Sequence, residues 1–147
     1  MGISNDQEFK AALAALNATR QRQVAARFVQ PVHALSNDAR VRSALEVAAR
    51  PEPDRAELEL AYQAANSARV ESFTRCGREC DWSDQAGHFV ARAAALCVAP
   101  DPAADLAWQA AMQTRMARSC QAVAEGGGTD NREAEAQYRI LEAFLNY

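Results

Sequence analysis

The segment DWSDQAGHFVARAAALC, residues 81–97, decides the fold class of this chain. Asp81, followed by Asp84 three residues later, is typical of a helix N-cap. Phe89, Ala93 and Leu96 then recur at the spacing that places side chains on one face of a helix. A face made largely of alanine lets neighbouring helices approach closely. The segment therefore predicts a helix packed tightly against other helices.

The same pattern recurs along the chain and predicts an all-α fold. Alanine occurs 34 times, against 26 for Leu, Ile, Val and Phe together, so small side chains at helical spacing must supply much of the core. No β-hairpin turn pair or sustained period-two alternation is present. The short connections predict an antiparallel bundle of about six or seven helices. Predicted N-cap regions are Ser4, Ser36–Asp38, Asp54, Asp81 and Asp130.

The length of 147 residues suits one helical domain over 1–147. We expect residues 1–4 to fray, Pro31 to stop or kink the second helix, and residues 126–129 to form a Gly-rich connection before a C-terminal helix. No run approaches the ~20 apolar residues of a membrane span. The N-terminus, MGISNDQEFK, lacks the pattern of a secretory signal, so a cytoplasmic location with reduced cysteines is expected.

The charge balance favours a protein partner over nucleic acid. Net charge is −3, with seven basic and four acidic groups in residues 1–50 but nine and fifteen in residues 51–147. Binding to nucleic acid needs a net basic face, so that class of partner is not expected. The acidic half suits a basic protein, because complementary charge gives an interface its specificity and on-rate. The candidate partner-binding residues are Glu57, Glu59, Asp81, Asp84, Asp101 and Asp105.

Residues 76–88, CGRECDWSDQAGH, hold the candidates for metal or thiol chemistry. Cys76, Cys80 and His88 are possible ligands for zinc or another transition metal, with Cys97 or Cys120 as a fourth. However, Gly77 and the N-cap at 81 predict a helix break between the first two cysteines, which separates their side chains. The spacing also differs from the Cys-x-x-Cys pattern that lowers a thiol pKa at a helix start. A helix–helix connection without a cofactor is the favoured interpretation.

No catalytic or nucleotide-binding motif is present, and GGG at 126–128 follows a helix rather than a strand. The sequence therefore favours a protein without catalytic activity but leaves an enzyme open. His33 and His88 each fit a packed, hydrogen-bonded histidine. Trp108, Met112 and Met116 fit either an exposed partner-binding stripe or, preferably, a central helix buried on two sides.

Residues 37–96 resemble a family of immunity proteins from bacterial toxin systems. The shared features are an Arg-rich short helix, a Pro/acidic break, an Ala-rich helix and the sequence AGHFVARAA. The resemblance implies a protein that binds and neutralises a toxin without catalysis. The sequence thus predicts a protein-binding module, with a homo-oligomer left open. Two alternatives remain: a metal- or thiol-dependent helical protein, and a small-ligand-binding or enzymatic bundle with no recognisable motif.

Overall fold

The structure, a computed structural model, describes residues 2–75, 81–128 and 131–146. The all-α prediction is confirmed, because the described residues form seven α-helices and no strand. A 3-10 helix at Gln30–Leu35 continues from α2. The α-helices are α1 (Asp6–Ala14), α2 (Ala18–Val29), α3 (Ala39–Ala49), α4 (Arg55–Arg75), α5 (Trp82–Cys97), α6 (Leu106–Ala124) and α7 (Glu133–Leu145).

Side-chain caps begin three of the predicted helices. Asp38, Asp54 and Asp81 accept hydrogen bonds from backbone N–H groups at the starts of α3, α4 and α5, at 2.9, 2.8 and 2.8 Å. Each bond satisfies a donor that the first helical turn would otherwise leave without a partner. The predicted cap at 130 lies outside the described residues.

The predicted cap at Ser4 is wrong by one residue. Asn5 is the N-cap of α1 and accepts from the Glu8 N–H at 2.8 Å, while the Glu8 carboxylate accepts from the Ser4 N–H at 3.2 Å. The Glu8 carboxylate is a stronger hydrogen-bond acceptor than the side-chain amide of Gln7. The capping pair of Asn5 and Glu8 is therefore favoured over the pair of Ser4 and Gln7. The backbone N–H of Ile3 also donates to the Glu142 carboxylate, which ties the start of the chain to α7.

Helix α5 lies at the centre of the bundle and contacts α2, α3, α4 and α6. Five of its seven buried residues are alanines, as the opening segment predicts. The packing is closest at Gly87, where an added Cβ would lie 3.0 Å from the carbonyl oxygen of Leu35. A side chain at this position would therefore push α5 away from the 3-10 helix. The buried residues of α5 are Ala86, Val90, Ala91, Ala93, Ala94, Ala95 and Cys97.

A buried glutamine joins α2 to the start of α6. Gln21 is 4% exposed, and its amide nitrogen donates to the carbonyls of Leu16 and Ala104, both at 3.1 Å. Its amide oxygen accepts from the Ala107 N–H at 3.2 Å. The amide thereby satisfies backbone groups at two helix ends at once.

Two helices end at the residues that were predicted to stop them. Pro31 lies in the first turn of the 3-10 helix, so α2 ends there as predicted. Gly126 has φ +89°, a left-handed conformation that glycine adopts without a steric penalty, and it ends α6. None of the helices in the described ranges is both long and apolar enough to cross a membrane.

Candidate functional site

His88 is a packed histidine on the α4-facing side of α5. Its Nδ1 lies 2.9 Å from the Ser72 hydroxyl oxygen, and that hydroxyl donates to the Arg69 carbonyl at 2.8 Å. Since the one hydroxyl proton of Ser72 is committed to that carbonyl, we infer that Nδ1–H of His88 donates to Ser72. The rings of Phe73 and Phe89 also contact the imidazole, each with its centroid 5.8 Å from that of the imidazole.

The surroundings of His88 favour the neutral form of its imidazole. Burial lowers its pKa below the ordinary 6.5 and the nearby positive charges of Arg92 and Arg69 lower it further, while a hydrogen bond with the Arg69 backbone opposes the shift. A neutral ring held by a serine on one nitrogen and flanked by two aromatic rings suits a structural role. Its second nitrogen, Nε2, keeps a lone pair that can accept a hydrogen bond or bind a metal.

The metal site predicted around His88 remains a prediction. Cys76 and Cys80 lie outside the described residues, and within those residues no three His, Cys, Asp or Glu side chains are grouped to hold a metal. Cys97 is excluded as a further ligand to the same ion. It lies nine residues after His88 on the same helix, about 13 Å along the axis, whereas zinc binds its ligands at about 2 Å.

The two described cysteines are buried, and burial makes them poor nucleophiles. Cys97 is 0% exposed, and burial raises its thiol pKa to about 12 despite the neighbouring Arg22 guanidinium. Burial also raises the pKa of the Cys120 thiol. Since the thiolate is the reactive form, neither residue suits redox or covalent chemistry.

The strongest surface feature lies where α4 ends and α5 begins. Val70, Phe73 and Trp82 are 46%, 67% and 47% exposed, which is unusual for large apolar side chains on one end of a helical hairpin. His88 and Phe89 extend this surface through their ring contacts. We call Val70, Phe73, Trp82 and His88 the hairpin-tip surface.

Sequence reasoning missed the exposed aromatic residues of this surface. The helical spacing from Leu58 through Ala65 and Arg69 predicts that Ser72 and Phe73 share the inner face of α4. In the structure Ser72 bonds His88, whereas Phe73 is 67% exposed. Adjacent helical residues differ in direction by about 100°, and a helix can bury both, as α6 does with Ala110 and Ala111. The exposure of Phe73 therefore depends on how the helices pack around α4, which no local pattern specifies.

The six predicted acidic residues fall into two groups at opposite ends of the α4–α5 hairpin. Glu57 and Glu59 are near the start of α4, close to Asp101, which follows α5. Asp81 and Asp84 are at the start of α5, about 24 Å from its end at 1.5 Å per residue. Asp105, which lies just before α6, is counted with the first group. The structure therefore does not unite the six residues into one surface.

The first group is largely compensated within the chain. Arg55 bonds both Glu59 at 3.0 Å and Asp101 at 3.0 and 3.2 Å, and the pairing lowers the pKa of the Asp101 carboxyl. Glu57 pairs with Arg50. Asp105 accepts a hydrogen bond from the Gln109 amide at 2.7 Å. These exposed pairs contribute little stability, but they reduce the negative charge presented to a partner.

The second group borders the hairpin-tip surface directly. Asp81 and Asp84 flank the exposed Trp82 in the sequence, and both lie in the first turn region of α5. Glu71, whose side chain is 58% exposed, precedes Phe73 by two residues and pairs with Arg40. Acidic residues therefore border the Trp82 side of the surface, whereas Arg92 and Arg69 lie near its His88 side.

Helix α6 is buried on two sides, which is the interpretation preferred from the sequence. Leu106, Ala107, Ala110, Ala111 and Ala117 are all at most 2% exposed. Trp108 and Met112 are half-buried, and Trp108 contacts the Phe9 ring at 6.1 Å between centroids. Only Met116 of the predicted stripe is well exposed, at 47%. The stripe is therefore not a continuous apolar surface.

Comparison of the chain with protein-family models, curated proteins and solved structures gives no match.

Proposed function

We propose that this protein is a protein-binding module that uses the hairpin-tip surface to hold a basic partner. The observation that carries the proposal is the exposure of Phe73 and Trp82 at the end of one hairpin, at 67% and 47%. Aromatic residues are the commonest energetic anchors of protein interfaces. Keeping two of them in water has an unfavourable hydration free energy, which a partner would remove.

The acidic residues on the Trp82 side of the surface support a basic partner. Asp81 and Asp84 adjoin Trp82, and the chain as a whole has a net charge of −3. Charges at the rim of an interface mainly speed association and select the partner, while the aromatic centre supplies most of the binding energy. A partner with an apolar pocket or groove bordered by lysine or arginine fits both features.

The resemblance to immunity proteins suggests the biological role of such binding. In that role the partner is a bacterial toxin, and the bound surface is one that the toxin needs for its activity. The chain would then act by occupying the toxin, without catalysis. The neutral, packed His88 at the edge of the surface is compatible with a contact residue rather than an acid or base.

The experiment compares partner capture by three purified forms of the chain from a lysate of the source organism. The first is the wild type and the second carries Phe73→Ser and Trp82→Ser. The third, Leu145→Ser, is a matched control, because Leu145 is 43% exposed but lies at the end of α7. All three should melt at similar temperatures, since the changed side chains are exposed.

We expect the wild type and the Leu145→Ser control to capture the same basic protein, and the double variant to lose it. The captured protein, expressed alone, should arrest growth, and co-expression with the wild-type chain should restore it. Equal capture by the double variant would reject the hairpin-tip surface as the interface. A captured protein without toxicity would reject the immunity role and leave the binding function in place.

A further inference from the structure

A second surface, separate from the hairpin tip, is a groove between α4, α5 and α6. It has a volume of about 530 Å³ and is lined by residues of all three helices. This volume lies within the range of small-molecule sites in proteins, about 300–1,000 Å³. The groove combines apolar and aromatic side chains, among them Trp108 and Met112, with several polar ones.

Two guanidinium groups line the groove without a carboxylate partner among the described residues. Arg69 donates from Nε to the Asn66 side-chain oxygen at 2.9 Å, and Arg92 lies 5.9 Å from the Phe89 ring centroid. By contrast, Arg40, Arg50, Arg55, Arg115 and Arg118 all pair with carboxylates. The one acidic residue lining the groove, Asp105, bonds the Gln109 amide.

The two arginines line the same groove, Arg69 from α4 and Arg92 from α5. An oxyanion bound in the groove would supply the carboxylate or phosphate partner that both guanidiniums lack in the described part of the chain. The planar fork of N–H donors on each arginine matches a carboxylate or phosphate geometrically.

A buried acceptor near the groove also lacks a partner among the described residues. The side-chain oxygen of Gln113 is inaccessible to solvent and receives no hydrogen bond within the described structure. Gln113 itself lines the groove through other atoms, so this oxygen belongs to the packing behind the groove wall.

We propose that this groove binds a small aromatic oxyanion. Arg69 and Arg92 would hold its carboxylate or phosphate, and Trp108 and Met112 would contact its ring. The proposal is independent of the protein-binding function, because the groove and the hairpin tip use different side chains.

The test uses 4-hydroxyphenylacetate as the probe. One control, 4-methylphenol, lacks the charge, and the other, acetate, lacks the ring. Binding is followed by NMR through the indole N–H signals of the two tryptophans. Trp108 lines the groove and should shift on titration, whereas Trp82 at the hairpin tip should not. For a probe of this size we expect a Kd of roughly 1 mM. Phenyl phosphate replaces the carboxylate in a parallel titration, and tighter binding there would identify phosphate as the preferred oxyanion.

Arg69→Gln and Arg92→Gln should each weaken binding about tenfold or more, and Arg92→Lys should weaken it less because it retains the charge. Arg139→Gln is the matched control. Arg139 is exposed on α7, and its substitution changes the net charge by the same amount. Equal binding of 4-methylphenol, equal weakening by Arg139→Gln, or no Trp108 shift with any of the charged probes would overturn the proposal.

Discussion

Replacing Gln21 with leucine should lower the free energy of unfolding by about 2–4 kcal/mol. Leucine fits a similar volume, but it removes all three hydrogen bonds of the amide. The largest loss is at Ala107, which is 0% exposed, so its N–H has no access to water and costs about 1–3 kcal/mol when left without an acceptor. The carbonyls of Leu16 and Ala104 are not buried, so water can replace part of their loss.

Urea denaturation followed by circular dichroism measures this change, and the slope of the transition should stay constant. The melting temperature should fall by roughly 6–12 °C for a chain of this size. Gln63→Leu is the control, because Gln63 is exposed on α4 and its change should stay within about 0.5 kcal/mol. A Gln21→Leu variant as stable as this control would refute the claim that the buried amide holds α2 to the start of α6.

Four further outcomes are expected. The pKa of His88 is lowered in the fold, so the unfolded chain binds more protons than the folded chain just below the ordinary pKa of 6.5. The wild type should therefore lose stability relative to His88→Gln as the pH falls below that value, as measured by urea titrations. Gly126→Ala should lower the free energy of unfolding by about 1 kcal/mol in the same assay, because φ at this position is +89°. Gly128 also has open space around it but no positive φ, so Gly128→Ala should change that free energy little. Cys97, with its pKa raised to about 12, should resist iodoacetamide at pH 8 in the native chain and react in urea, as read by peptide mass spectrometry. Elemental analysis of protein purified without chelator should find no stoichiometric metal, and one equivalent of zinc would instead establish a metal site.

The sequence predicts the helices well because their start and stop signals are local. Asp38, Asp54 and Asp81 each cap the helix that follows them, and Gly126 ends α6. These contacts join residues two or three positions apart, so they can be read from the sequence alone. The error at Ser4 has the same origin, since two overlapping capping patterns compete within a few residues.

The site could be predicted only in part, because it depends on contacts between helices. The acidic residues were expected to act together, yet the antiparallel hairpin places Glu57 and Asp81 at opposite ends. Arg69 and Arg92 line one groove because of the register of α4 against α5, which no local pattern specifies. The unsatisfied Gln113 oxygen likewise becomes visible only when the surrounding helices are in place.

The small side chains of α5 explain why both proposed surfaces lie outside the centre of the bundle. Alanine fills most of the buried face of α5, so the helices approach closely and leave little space for a ligand in the centre. Helix α4 adds few buried apolar residues to this interface, among them Leu58, Ala65 and Ala68. Larger side chains such as Phe73 and Arg92 must then project at the ends and edges of the hairpin. The two proposed binding surfaces therefore both use side chains that project from the alanine-rich core.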